Sequence, residues 1–438
     1  MSENKQVYIA ISADIIHNGH INVIEQGAAL GDVVIGLLSD DAIAAYKRAP
    51  LLDWDTRARV FASIKGVTRV VKQETLSYAD NLRAIRPTYV VHGDDWKSGV
   101  QSQVREEVVR ILAEQGGELI EVPYTRDVSA TSLERQLRSV YGTPDMRRGK
   151  LRQLLGLKPW IRAIEASNGL TGLIAENARV EDAATGAVRE FDAMWVSSLC
   201  DSTFKGKPDI ELVDLTSRVN TINEIMEVTT KPIILDGDTG GRTEHFTYNV
   251  RTLERLGVSA IIVEDKTGLK QNSLFGTDVQ QTLDDPHEFA RKMHAGKAAQ
   301  ATRDFMIFAR LESLIAGIGV DDALERADIY LHEGGVDGLM IHSKQKDGAE
   351  IFEFSDRFRQ RYPKVPLIFV PTSYNQFTES ELADHGANII IYANHLLRSA
   401  YPAMMETATT ILTAGRSKEV DDRCLPIKEV LRLIPNEL

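Results

Sequence analysis

The stretch Val258-Ser259-Ala260-Ile261-Ile262-Val263-Glu264-Asp265-Lys266-Thr267-Gly268-Leu269-Lys270-Gln271-Asn272-Ser273 sets the reading of the chain. Its apolar run, Val258 to Val263, is too short and too β-branched for a helix and predicts a buried strand. Two acids and a lysine follow where that strand surfaces, and a Gly/Lys/Asn loop comes next. One strand earlier, Ile233-Ile234-Leu235 opens onto Asp236-Gly237-Asp238-Thr239-Gly240-Gly241. Carboxylates at the ends of two successive parallel strands predict a cation site above a sheet.

Outward from that pair, the apolar runs after Pro159 are Trp160–Ala166, Ala193–Leu199, Pro232–Leu235, Ala260–Val263, Phe305–Ala309, Gly338–Ile341, Pro366–Val370 and Ile389–Tyr392. Eight such runs, separated mostly by helical segments, predict a (β/α)8 TIM-type barrel; an open doubly wound sheet is the competitor. Polar groups end every run: Ser167-Asn168, Ser197-Ser198, Asp236 and Asp238, Glu264-Asp265-Lys266, Arg310 and Glu312, His342-Ser343-Lys344, Thr372, and Asn394-His395. Strand ends are where water begins, which explains any one of them. Three acids, an arginine and a histidine on one rim need a site. Asp236, Asp238 and Glu264 offer hard oxygens suited to Mg²⁺, directly or through water. Lys266, Arg310 and His342 offer positive charge or donors to a phosphoryl group. Ser197 and the backbone amides around Leu199 suit a carboxylate. The substrate class is therefore a small acid carrying both carboxylate and phosphoryl groups.

The first part of the chain alternates strands with helices. Strands are expected at Val7–Ile11, Val33–Leu38, Val67–Val71, Tyr89–His92 and Glu118–Val122, which predicts a doubly wound, Rossmann-like α/β domain. After the first strand comes His17-Asn18-Gly19-His20 and then a helical Ile21 to Leu30. Ligands of such folds sit at the carboxyl ends of strands, over helix N-termini that favour phosphate. Gly19 lets the backbone approach a phosphate, and the imidazoles of His17 and His20 can donate to phosphoryl oxygens as charge moves onto a leaving pyrophosphate. Domains are expected at 1–140 and 151–438. Between them, 141–150 mixes Gly, Pro and polar residues and reads as a linker or exposed connector. A short helix over Leu151–Leu157 opens the second domain.

The first domain resembles the HxGH nucleotidyltransferases, in the branch that handles glycerol phosphate and ethanolamine phosphate with CTP. Besides the histidines, Lys47 looks like the family lysine that contacts the second substrate and phosphates. Gly93-Asp94-Asp95-Trp96 resembles the segment near the nucleotide. Arg126-Asp127-Val128-Ser129-Ala130-Thr131-Ser132 resembles the signature whose hydroxyls and amides take triphosphate oxygens. The resemblance implies that Gly93, Asp95, Trp96, Arg126, Ser129 and Thr131 bind the nucleotide. The match departs at Asp127 and Ala130, where glycine and a hydroxyl residue are common.

The second domain resembles the phosphoenolpyruvate phosphomutases of the isocitrate lyase superfamily, on Glu264-Asp265-Lys266, five residues, then Asn272-Ser273, and on Leu235-Asp236-Gly237-Asp238-Thr239-Gly240. The resemblance implies Asp236 as the main Mg²⁺ ligand, with Asp238, Glu264 and Asp209 in its water-linked shell. Arg310 and His342 would grip the phosphoryl group. Ser197, Ser198 and Leu199 would hold the carboxylate, with Ser198 standing where glycine is common and so placing a hydroxyl in that pocket. Lys270 and Asn272 would lie on a gating loop, with Ser273 on the substrate side. The implied reaction moves a phosphoryl group from the enol oxygen of phosphoenolpyruvate to C3, giving phosphonopyruvate. The first domain would then attach CMP from CTP to a downstream phosphonate, 2-hydroxyethylphosphonate or 2-aminoethylphosphonate. A homo-oligomer, dimer or tetramer, is implied for the barrel.

Other readings stay open at this level. The barrel would be a phosphonopyruvate hydrolase, or a carbon–carbon lyase, although lyases of the superfamily carry a Lys-Lys-Cys-Gly loop and Lys266-Thr267-Gly268-Leu269-Lys270 has no cysteine. The first domain would be a nucleotide-sensing module. Bulk properties bound all of these. The 438-residue chain carries a net charge of −12, against broad nucleic-acid or anionic-membrane binding. Two distant cysteines, Cys200 and Cys424, give no disulfide framework or zinc spacing. No apolar run approaches the roughly 18 residues of a membrane span. Met1 to Gln6 is polar, without a signal-peptide core. A cytoplasmic enzyme is expected.

Overall fold

The computed structural model describes residues 5–13, 16–45, 50, 52–97, 101–123, 142–181, 188–267 and 282–434. In the first domain β1 (Gln6–Ile11), β2 (Asp32–Leu38), β3 (Val67–Gln73), β4 (Tyr89–Gly93) and β5 (Glu118–Val122) form a parallel sheet ordered β3-β2-β1-β4-β5. Side chains alternate across it. Val7, Ile9 and Ile11 pack on one face with Ile24 of the helix Asn18–Ala28, and Tyr8 faces the other with Trp96, Val108 and Leu112. Both faces are covered, as parallel sheets require. Gly36 on β2 is dictated by this packing, since a Cβ there would stand 1.8 Å from the Tyr8 hydroxyl. Strand order reverses between β1 and β4, which places a ligand crevice at their carboxyl ends.

The eight expected runs all become barrel strands. They are β6 (Ile161–Glu165), then, after a short antiparallel pair β7 (Arg179–Glu181) and β8 (Val188–Glu190) that stands outside the barrel and was not anticipated, β9 (Ala193–Val196), β10 (Ile233–Asp236), β11 (Ala260–Glu264), β12 (Met306–Leu311), β13 (Gly338–Ile341), β14 (Leu367–Phe369) and β15 (Ile389–Tyr392). Each pairs in parallel with the next, and β15 closes on β6. Alternation again sorts the core. Ala163, Trp195, Ile234, Ile262, Phe308, Met340 and Ile368 fill the interior, while Val196, Leu235, Val263, Ile307 and Leu339 face the surrounding helices.

Two local expectations change. The run Ala193–Leu199 stops as a strand at Val196, because the Ser197 side chain accepts from Cys200 N at 3.4 Å and caps the helix Ser198–Phe204. The second half of the expected connector, Pro144 to Lys150, is the start of the helix Pro144–Leu157. Pro at its first position suits a helix start. Arg147 and Arg148 are buried rather than exposed: Arg147 donates to Thr229 O at 2.5 Å and Arg148 to Glu254 O at 3.1 Å. Ser259, just ahead of β11, donates back to Arg147 O at 2.7 Å. The helix therefore lies across the amino ends of the strands, where Leu151 and Leu154 plug the barrel interior and Ala44 of the first domain joins the same cluster. At the other end of the chain, the helix His395–Ala414 buries none of its residues. No helix among the described residues is long and apolar enough to cross a membrane.

Candidate active sites

Barrel strands end together, so their terminal side chains meet on the carboxyl rim. Register brings Asp236 opposite Ile262 and Glu264 opposite Arg310. A recess open to solvent lies there; Ser197, Ser198, Leu199, Asp209, Asp236, Arg310 and His342 all line it, and Trp195, Met340, Thr372 and Asn394 are also on its wall. Seven residues expected from widely separated positions are thus brought to one place.

The acids divide into two kinds. Asp236 faces the recess, its Oδ2 accepting from Ser198 N at 3.2 Å and Ser198 Oγ at 2.8 Å, its Oδ1 from Asp238 N at 3.2 Å. The Ser198 hydroxyl, expected in the carboxylate pocket, therefore points at the acid. Asp238 and Glu264 are absent from the wall. Asp238 pairs with Arg218 at 2.5 Å, and Glu264 lies 3.3 Å from Arg310 Nη1. Among the described residues no three His, Cys, Asp or Glu side chains come close enough to hold a metal on their own. This donor set still fits Mg²⁺, which keeps several waters and binds through one or two carboxylates plus substrate oxygens. Asp236 and Asp209, both on the recess wall, would be that pair. Gly237 follows β10 closely against β11, where a Cβ would stand 2.8 Å from Ile262 O.

Lys266 also differs from expectation. It is absent from the recess wall and pairs with Glu312 Oε2 at 2.9 Å. Glu312, noted in the sequence only as a strand-end acid, is the residue that motif reading missed. It is fully buried and binds both Lys266 and Arg310. Burial pushes its carboxyl up, but Arg310, Lys266 and His342 outweigh that and hold it at about 2. Burial works against the Arg310 guanidinium too, yet Glu312, Glu264 and Asp236 keep it charged and push its pKa upward. His342 is driven down to about 3 by burial and by the Arg310 charge, with Glu312 opposing. It is a neutral imidazole near pH 7, a hydrogen-bonding group rather than a cation. Its Nδ1 has no partner among the described residues. Asp265, the middle of the Glu264-Asp265-Lys266 motif, points away from the recess. It accepts from Tyr330 Oη at 2.6 Å and Glu312 N at 2.9 Å, which fixes the end of β12. Cys200 is a buried thiol whose pKa burial pushes up; Cys424 is exposed.

In the first domain His17 caps the helix Asn18–Ala28 at the carboxyl end of β1. Its Nδ1 accepts from Gly19 N at 3.1 Å, and His20 Nδ1 accepts from His17 N at 3.3 Å. The two rings sit 3.9 Å apart. A neutral imidazole whose Nδ1 accepts carries its proton on Nε2, so both histidines are set as Nε2–H donors. Burial lowers His17, which keeps it neutral. A Cβ at Gly19 would stand 2.9 Å from His17 Cε1, so only glycine allows this packing. Gly93 ends β4 beside β1, in the same crevice. Trp96 is buried, stacks on His92 at 3.8 Å, and donates its indole N–H to Glu121 at 2.9 Å, so it braces the wall of the crevice. Lys47, the Asp95 side chain, Arg126, Ser129, Thr131, Lys270, Asn272 and Ser273 lie outside the described residues.

Comparison with known proteins agrees with both halves. Residues 151–412 match the family model described as phosphoenolpyruvate phosphomutase, and 12–136 match cytidylyltransferase-like. The chain is 37% identical over 278 residues to phosphonopyruvate hydrolase of Variovorax sp. (strain Pal2), covering 63% of this chain and 93% of that protein. It is 34% identical over 285 residues to phosphoenolpyruvate phosphomutase of Tetrahymena pyriformis, covering 65% and 90%. Among solved structures, a phosphonopyruvate hydrolase complex with oxalate and Mg²⁺ superposes with a TM-score of 0.56 at 35% identity, over 66% of this chain and 94% of that one. With a closed eight-stranded barrel and a family match across it, the chain belongs to the phosphoenolpyruvate phosphomutase family, and carries a cytidylyltransferase-like domain ahead of its barrel.

Proposed function

We propose that the barrel interconverts phosphoenolpyruvate and 3-phosphonopyruvate, and that the first domain transfers CMP from CTP to a small phosphonate such as 2-hydroxyethylphosphonate. The observation that carries the barrel reading is the Arg310 guanidinium, kept charged by Glu312 and Glu264 on the wall that also holds neutral His342. A phosphoryl group passing through a loose, metaphosphate-like state needs charge and donors fixed in advance rather than a nucleophile. Arg310 and His342 hold that group while it leaves oxygen and rejoins carbon. Ser197 and Leu199 hold the carboxylate. Asp236, and Asp209 through water, would hold Mg²⁺, which would supply positive charge to the substrate oxygens. By the family resemblance, Asn272 and Lys270 would close over the substrate and exclude water, without which the site becomes a phosphatase.

In the first domain the Nε2–H donors of His17 and His20 take charge developing on the departing pyrophosphate, while the phosphonate oxygen attacks the α-phosphorus of CTP. Lys47 and Arg126 complete the binding set, and 2-aminoethylphosphonate is the rival second substrate. The enzyme is cytoplasmic and acts in phosphonate biosynthesis of the antibiotic-forming kind.

Phosphonopyruvate hydrolysis is the second reading, favoured by the 37% identity to the Variovorax hydrolase. ³¹P NMR of the protein with Mg²⁺ and phosphonopyruvate separates the two. Conversion to phosphoenolpyruvate is the expected result; release of inorganic phosphate overturns the mutase.

A further inference from the structure

The loop after β10 is held from behind by a side chain that no motif singled out. Arg218, on the helix Leu215–Met226, is buried beneath it. Its Nη1 donates to Asp236 O at 2.6 Å and its Nη2 to Asp238 Oδ2 at 2.5 Å. Asp238 takes up a left-handed backbone, φ +52°, a conformation uncommon outside glycine that Asp adopts more readily than most side chains. The neighbouring loop, which brings Asp209 to the recess, has its own left-handed residue in Glu211, φ +58°. The Glu211 carboxylate accepts from Thr239 N at 2.9 Å and Thr239 Oγ1 at 2.7 Å. The two loops, each bearing one recess acid, are thus joined to each other through Glu211 and Thr239, while Arg218 ties the loop after β10 to the helix Leu215–Met226 behind it. Ser198 completes the arrangement from the recess side through its bonds to Asp236 Oδ2.

We propose that Arg218 is the positioning residue of the metal-bearing loop. It fixes Asp236 as a ligand while holding Asp238 as its own counter-ion, so Asp238 acts on the metal through the loop rather than by direct coordination. The guanidinium fork suits this task because one planar group spans a main-chain oxygen and a carboxylate; a lysine ammonium is a point charge and satisfies one of them well. This inference rests on the metal-dependent reading of the barrel, and its test does not depend on which reaction follows.

The test is Mn²⁺ binding to the full chain without substrate, followed by loss of the free-ion EPR signal, with circular dichroism confirming the fold of each variant. Outer residues that orient metal ligands typically change affinity about 10–100-fold. Arg218→Lys is expected to weaken Mn²⁺ binding within that range. Asp238→Asn, nearly isosteric and the variant to rely on if Arg218→Lys does not fold, is expected to weaken it similarly. The double variant should bind about as the weaker single one, because both changes break one device. Unchanged Mn²⁺ affinity in Arg218→Lys overturns the proposal. So does abolition of binding by Asp238→Asn, the signature of a direct ligand, and so do losses that multiply in the double variant. Phosphate release in the NMR experiment would instead overturn the mutase reading and leave this one standing.

Discussion

Charge in the barrel is decided residue by residue, and Glu312 shows how. It is a carboxylate between two cations in a dry setting, where removing one member leaves uncompensated charge. Glu312→Gln is expected to destabilise the fold by about 3–5 kcal/mol and to reduce turnover at least tenfold by loosening Arg310, read by urea unfolding and the ³¹P assay. The same cluster sets an acid sensitivity. His342 in the folded protein sits at about 3 against an ordinary 6.5, and Glu312 at about 2 against 4.5. Both are lower when folded, so each contributes stability above its ordinary value and loses it as pH falls toward its folded value. Stability should therefore begin to fall below about pH 6.5 through His342, with Glu312 adding to the loss below about pH 4.5. Urea midpoints measured across pH 7 to 4 should show a slope that His342→Gln flattens. A slope unchanged by that substitution would place the sensitivity elsewhere.

At the scale of the element, the helix Pro144–Leu157 behaves as part of the barrel. Leu151 and Leu154 are buried in the same cluster as the inward side chains of the strands. Leu151→Ala should cost about 2–5 kcal/mol, the usual range for emptying a packed site, whereas an exposed connector would lose almost nothing. Chemical unfolding followed by tryptophan fluorescence distinguishes these, since Trp195 lies in that interior. The helix Asn18–Ala28 is the corresponding element of the first domain, with His17 as its cap. His17→Ala should abolish CMP transfer and leave the barrel reaction unchanged. Retained CMP transfer would remove the histidine pair from the chemistry.

For the whole molecule, the end of the chain has apolar surface that one copy does not cover. Leu412 is 82% exposed, Ile427 74% and Leu431 73%, on segments that follow the wall residues Ala393 and Asn394. An assembly of two or four copies would bury this surface. Light scattering on the eluting protein should give at least twice the mass of one chain, and Leu412→Asp with Leu431→Asp should lower it. A monomer in the unaltered protein would contradict the expected oligomer.

What could be read from residue order was whatever depends on period and position. Eight short apolar runs fix a barrel count, because buried parallel strands are nearly continuous in apolar residues and their ends must meet water. The His-x-Gly-His turn was legible because strand, turn and helix start are adjacent in the chain. Asp236, Arg310 and His342 at strand ends, and Asp209 through the family resemblance, were expected together, and all four line one recess. What order could not show is which charges neutralise one another. Asp238 and Glu264, expected in the water-linked shell of Mg²⁺, and Lys266, expected near the phosphoryl group, are ion-paired to Arg218, Arg310 and Glu312 from other strands and helices. Arg218 and Glu312 carry no local signal, since a buried ion pair is specified by two residues far apart in the chain. Arg147 was misplaced for the related reason that burial depends on what packs across from a side chain. Local pattern decides where a site can form, and long-range electrostatics and packing decide which side chains within it are left for the substrate.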